Sequence, residues 1–513
     1  MMPSPSRGPR RGASKPGKKP QNQAVNRAID LLRAGNVKAA ASIIDPMMKK
    51  ARKDASVVRV KGLIEMKSGR YTEAEQYLNR ARDLDPGHPM ISVEQAMVHQ
   101  LRGRYDRMVE AARNAYRITP GRTEIQTLLA EALISADRCD EAYELLRELG
   151  KGGSLDPALA DPLTKVLDIQ GRREEAIEIF DSIGDGAGLA PNIRKRMNLR
   201  RGRMLEKLGD HDGALEAYRK GHAQLKSAFD PDAFDRRVDE ILDAMRKSSF
   251  TDPGTEASST ELPVMIVSMP RSGTSLLERI LAAHPSVTGI GEESVISETI
   301  REHRDRLGRE PVRDMAATDP AILESMRTDC LGRIKALSGE GTRTVSKHLQ
   351  NWSYLPVIGT WYPRAHVVRI TRDPFATGIS IYGQDLPEDR MPWVGRLDWI
   401  GRVMAAERRF VAAAREIVPN PWYEVVYEDL IDEPESRIPP LVESIGVDFD
   451  ERCLSPHKAE STGGGGDGGK QFRPTLSLHQ VRKPISRDSR DRATVWGDRL
   501  EDLRRGLEEG GIT

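Results

Sequence analysis

The residues best suited to chemistry stand together near the middle of the chain. Pro270-Arg271-Ser272-Gly273-Thr274-Ser275 sets one guanidinium, three hydroxyls and a glycine within six positions. Before them, Val264 to Val267 is an apolar run bounded by Pro263 and Pro270, the pattern of a buried parallel strand. After them, Leu276, Leu277, Ile280 and Leu281 fall at helical spacing. The turn Met269 to Thr274 therefore joins a strand to a helix N-terminus, where unpaired N–H groups and the helix dipole attract negative charge. Arg271 adds a full positive charge, and the result is an anion cradle. It is not a Walker A loop: Gly273 is followed by Thr274, the cation precedes the glycine, and no lysine is placed to reach a γ-phosphate. No Gly-x-Gly-x-x-Gly follows this strand, so a dinucleotide fold of that kind is unsupported.

Further candidates follow downstream. Pro285 and Gly289 break the helix and lead to Gly291-Glu292-Glu293, two carboxylates able to take a proton from a hydroxyl. Lys347 ends a second expected strand, Thr342 to Ser346, where open α/β sheets place their ligands. A third strand, Ala365 to Ile370, runs into Arg372, with Ser380 eight residues on; a guanidinium fork and a hydroxyl suit a phosphate. A fourth strand, Trp422 to Tyr427, ends in Tyr427-Glu428-Asp429-Leu430. The glycines of 463 to 469 then form a stretch too flexible to hold a fixed shape unaided, leading to Thr475-Leu476-Ser477 and Val481-Arg482-Lys483-Pro484-Ile485.

The stretch Pro-Arg-Ser-Gly-Thr-Ser-Leu-Leu directly after an apolar strand resembles the 5′-phosphosulfate loop of sulfotransferases that use 3′-phosphoadenylyl sulfate. It is most like the loops of tyrosylprotein sulfotransferases and of bacterial proteins that fuse tetratricopeptide repeats to such a domain. The resemblance implies that Arg271, Ser272, Gly273, Thr274 and Ser275 hold the 5′-phosphosulfate, and that Arg372 and Ser380 bind the 3′-phosphate. It implies Glu293 as the base, with Glu292 open because one extra residue separates His284-Pro285 from the glutamates. Lys347 and Ser477 would stabilise the leaving oxygen, Arg482 and Lys483 would contact phosphate, and Tyr427 would lie near the nucleotide. Ser346 and Leu349 stand where the family usually has an acid and a proline around that lysine. The scheme requires no metal.

These groups need a scaffold, and the preceding sequence repeats itself. Gly35-Asn36, Gly69-Arg70, Gly103-Arg104, Asp137-Arg138, Gly171-Arg172 and Gly209-Asp210 recur at intervals of 34, 34, 34, 34 and 38. Five residues after each first member stand Ala40, Ala74, Met108, Ala142, Ala176 and Ala214, where two helices would cross. This period resembles the tetratricopeptide repeat, whose helix pairs stack into a right-handed solenoid. Its concave face is the usual seat of a peptide or protein, so a peptide or protein acceptor could engage the array, or the array could simply support the second domain. The expected layout is a disordered basic tail over 1–22, an all-α repeat array over 23–246, a linker over 247–262, and a P-loop-like parallel-sheet domain over 263–513.

Charge and composition narrow the partners. Lys and Arg total 79 against 77 Asp and Glu, and six basic residues with no acid lie in the first 22 positions, leaving the rest at −4. General nucleic-acid binding by the folded body is disfavoured. Cys139, Cys330 and Cys453 are too few and too scattered for a disulfide framework or a zinc site, which suits a reducing compartment. No long apolar run or secretion signal is evident, so no membrane partner and a cytoplasmic location are expected. Two rivals are an interaction scaffold whose second domain binds nucleotide without turnover, and a nucleotide kinase, which the missing loop lysine disfavours.

Overall fold

The computed structural model describes residues 18–150, 156–184, 189–224, 228–307, 310, 312–339, 341–458, 485 and 492–512. The chain divides into two compact units, Met1–Val166 and Leu167–Thr513. Among the described residues thirteen helices, from Lys18–Arg33 to Pro231–Lys247, precede a parallel sheet.

In the first unit the repeat is visible as physics. Gly35, Gly69 and Gly103 end their helices with φ of 78°, 77° and 64°, the left-handed conformation that a Cβ disfavours, and Asp137 adopts it at 61°. Ala40, Ala74 and Ala142 are fully buried, as a small-residue crossing position requires, and the larger Met108 is buried at the same place in its repeat.

The second unit holds a five-stranded sheet in the order β2-β3-β1-β4-β5, with every pairing parallel. The strands are β1 Pro263–Val267, β2 Val287–Gly291, β3 Arg343–Ser346, β4 His366–Thr371 and β5 Trp422–Val426. Four match sequence expectation within a residue or two. β2 is additional, since a stretch read as a helix break becomes an edge strand. Its Gly289 allows the Glu278 side chain close, as a Cβ there would come within 2.9 Å of Glu278 Oε1. Tyr427, expected to end β5, instead begins the helix Tyr427–Asp432.

Along β1 the side chains alternate between two cores. Val264 and Ile266 pack with Leu277, Ile280, Val345 and Val368 on one face. Met265 and Val267 pack with Trp361 and Phe410 on the other, together with Val238, Ile241, Leu242 and Met245 of the helix Pro231–Lys247. A third core joins Leu199 and Tyr218, from the helices Pro191–Lys207 and His211–His222, to Met269, Ile379 and Trp496. The last repeat helices and the sheet thus share their interiors. Within 247–262, Ala257 and Ser258 are buried.

Candidate active site

Because all five strands run the same way, their C-terminal ends open on one edge of the sheet, and each end delivers a candidate group. β1 leads into Met269 to Ser275, β2 into Glu292 and Glu293, β3 into Lys347, β4 into Arg372 and β5 into Tyr427. Strands lie on both sides of β1, with β2 and β3 beyond it one way and β4 and β5 the other. A ligand crevice in an open α/β sheet opens at such a switch point.

The loop after β1 is built for close approach. Arg271 has φ 70° and Gly273 φ 98°, so two left-handed residues are separated by one, and the helix Thr274–Ala282 starts at once. A Cβ at 273 would collide with the Tyr427 ring, which adds a packing requirement to the conformational one. Ser272, Thr274 and Ser275 are buried.

The two arginines expected at opposite ends of a ligand meet in a single cluster. Arg271 Nε donates to Ser380 Oγ at 3.1 Å, and Arg372 Nη1 donates to the Arg271 carbonyl at 3.1 Å. The Arg372 guanidinium lies 4.6 Å from the centre of the Tyr427 ring. Asp373 caps the helix Pro374–Tyr382 through the Ala376 N–H at 2.7 Å, fixing Ser380 one turn further along. Burial, together with the charges of Arg492, Arg372 and Arg203, pulls the Arg271 guanidinium down to about 10. Burial likewise lowers Arg372. A site that penalises its own cations gains by taking up an anion.

Arg492 and Arg203 were not read from the sequence. Arg492 is held by Glu206 through bonds of 2.6 and 2.8 Å, and Glu206 also accepts from Tyr218 Oη at 2.8 Å. Although burial acts the other way, Arg492 keeps the Glu206 carboxyl below its ordinary range. The available signal was the helix Pro191–Lys207, with seven basic residues in seventeen, two of which, Lys195 and Arg200, are buried. A solvated face would leave such residues outside.

At the other side of β1, Lys347 is fully buried and its Nζ lies 2.7 Å from Glu292 Oε1. The Lys347 N–H donates to the Gly291 carbonyl at 2.9 Å, joining the ends of β3 and β2. Glu278, on the helix after the loop, is buried and accepts from the Gly291 N–H at 2.6 Å. Burial raises its carboxyl to about 7 against the pull of Lys347. Glu278 was not singled out in the sequence, where it reads as one residue of an amphipathic helix. Glu293 lines a hollow together with Ser294, Ser346, His348 and Asn351. Ser477, Arg482 and Lys483 lie outside the described residues.

A cavity of about 290 Å³ adjoins Pro270 of the loop and Leu349 and Gln350 just past Lys347. Its walls carry Phe229, Phe234, Trp352, Tyr354, Trp393 and Phe410, with Arg237 and Arg390 alongside.

Residues 263–451 match the family model described as Sulfotransferase family, and residues 25–89 match that of the tetratricopeptide repeat. The chain thus joins tetratricopeptide repeats to a sulfotransferase-family domain. It is 26% identical over 263 residues to protein-tyrosine sulfotransferase 2 of Gallus gallus, covering 48% of this chain and 67% of that protein. It is 27% identical over 242 residues to protein-tyrosine sulfotransferase 1 of Danio rerio, covering 44% and 64%. An uncharacterized protein of Aquifex aeolicus is 26% identical over 318 residues, 60% of this chain and 40% of that one. The chain therefore spans 40% to 67% of the length of these relatives. Among the described residues no helix is long and apolar enough to cross a membrane.

Proposed function

We propose that the protein transfers a sulfuryl group from 3′-phosphoadenylyl sulfate to a hydroxyl or phenol. The observation that carries this is the convergence of Arg271, Ser380 and Arg372 at the ends of neighbouring strands β1 and β4, within one hydrogen-bonded cluster. A nucleotide bearing phosphates at both ends suits such a cluster, because guanidinium forks and hydroxyls bind phosphate oxygens while the loop's N–H groups take the remainder. Arg271 to Ser275 would hold the 5′-phosphosulfate, and Arg372 with Ser380 the 3′-phosphate.

In the transfer the sulfur–oxygen bond to the 5′-phosphate breaks as the acceptor oxygen bonds to sulfur, and the acceptor's proton leaves to a carboxylate. The resemblance to the tyrosylprotein enzymes points to Glu293, with Glu292, which contacts Lys347, as the alternative. Lys347, held 2.7 Å from Glu292, would neutralise the departing phosphate oxygen. The aromatic cavity beside Pro270 suits a phenol, and relatives named protein-tyrosine sulfotransferases make a tyrosine side chain a reasonable acceptor. A peptide carrying it could engage the repeats.

The test is transfer of label from 3′-phosphoadenylyl [³⁵S]sulfate to phenols, sugars and tyrosine peptides. Glu293→Gln should lower kcat by at least about 100-fold with KM for the donor little changed. Glu292→Gln should act through Lys347 and depress kcat less. Donor binding without transfer to any acceptor would instead support a nucleotide-binding scaffold.

A further inference from the structure

Resting on the donor reading above, we propose that Arg203, on the last-repeat helix Pro191–Lys207, forms part of the site for the donor's 3′-phosphate. The final repeat would then supply a binding residue to the nucleotide site as well as supporting it.

Arg203 Nη1 donates to the Gly383 carbonyl at 2.6 Å. Gly383 caps the helix Pro374–Tyr382, so the guanidinium sits at the end of the element that carries Ser380, within one helical turn of it. Ser380 is bonded to Arg271, and the charge of Arg203 is felt at Arg271 beside those of Arg372 and Arg492. Guanidiniums from four parts of the chain, Arg203, Arg271, Arg372 and Arg492, therefore lie close enough to act on one another, with Ser380 bonded to one of them.

This placement is enforced by packing. Gly202, next in the chain, lies against the buried Tyr218 ring, and a Cβ at Gly383 would reach within 2.8 Å of the same ring. His222 Nε2 lies 2.8 Å from the Tyr382 carbonyl, and Lys195 Nζ lies 2.7 Å from Glu388 Oε1. Contacts on both sides of residue 383 thus hold the helix in register with the phosphate-site serine. A capping role alone is a poor account of Arg203. One neutral donor would satisfy the carbonyl, whereas burial and the neighbouring Arg200 lower the Arg203 guanidinium even though Asp168 and Asp385 act the other way, so an added anion would stabilise its charge. A phosphate dianion would use the rest of its planar fork.

The experiment is calorimetric titration of the full chain with adenosine 3′,5′-bisphosphate and with adenosine 5′-monophosphate, which lacks only the 3′-phosphate. Arg203→Met should weaken bisphosphate binding by about tenfold or more and leave the monophosphate within about twofold. Arg203→Lys, which keeps the charge and loses the fork, should fall between Met and wild type, and it serves as the folded control if the Met variant unfolds. Unchanged bisphosphate affinity in both variants, or equal loss of both nucleotides in a folded variant, overturns the assignment. Wild-type protein that does not prefer the bisphosphate overturns the donor reading itself, and that result needs no variant.

Discussion

Arg271 carries two costs at once. Its backbone is left-handed at φ 70°, and its guanidinium is buried among like charges. A non-glycine residue so placed costs about 1–3 kcal/mol, which persists where the surroundings over-determine the conformation. Arg271→Gly should therefore raise the stability of the ligand-free protein by about 1 kcal/mol, after the extra chain entropy of glycine, while lowering bisphosphate affinity at least about tenfold. Thermal unfolding and calorimetry on one preparation would read the opposing signs. Glu278 makes a second prediction. Its carboxyl is raised from 4.5 to about 7, so between those values the folded chain keeps a proton that the unfolded chain releases, and stability falls as pH rises through the window. Glu278→Gln keeps an acceptor for Gly291 and removes the ionisation. Its stability relative to wild type should thus rise by roughly 2 kcal/mol from pH 5 to pH 8, as denaturant titrations would show.

Among the elements, the helix Glu501–Glu509 crosses the long helix Leu397–Ile417 through paired glycines. A Cβ on Gly506 would strike the Asp398 carbonyl, and one on Gly401 would come 2.5 Å from the Leu503 carbonyl. Backbone cannot yield as a flexible side chain does, so Gly506→Ala should cost about 2 kcal/mol or more. Its unfolding midpoint in urea should fall, and a midpoint equal to wild type would show that the helices can separate freely. The loop helix shows the same logic at the site, where Gly273 meets the ring of Tyr427 from the end of β5.

For the whole molecule, the sharing of cores between the last repeat helices and the sheet sets where the chain can be cut. The helix Pro231–Lys247 gives Val238, Ile241, Leu242 and Met245 to the same interior as Met265 and Val267. Removing it uncovers four large apolar side chains, each worth about 1.5–3 kcal/mol of burial. A fragment of residues 170–513 should be soluble and unfold cooperatively, whereas residues 248–513 should aggregate or bind hydrophobic dyes. Size-exclusion chromatography and a melting curve on the two fragments would decide it.

Local pattern was enough for much of this protein. The 34-residue period, the apolar run Val264 to Val267 and the helical spacing after Ser275 each depend on neighbours in the chain, and so does the order of Arg271, Lys347 and Arg372 at strand ends, with Ser380 on the helix that follows the last of them. Parallel strands then bring those ends to one edge without further instruction. β2 escaped notice because a short edge strand with two glycines carries little periodicity and is stabilised by its partner. Arg203, Glu206, Arg492 and Glu278 were illegible for a related reason: their meaning comes from what lies opposite. Arg203 is 180 residues from the carbonyl it caps, and Glu206 is 286 from the arginine it holds. Sequence by itself determined which groups stand at the ends of strands, because that is a matter of spacing. Only the tertiary structure decided which charges share a site, because electrostatic interaction depends on distance in space and on the burial that removes water between them.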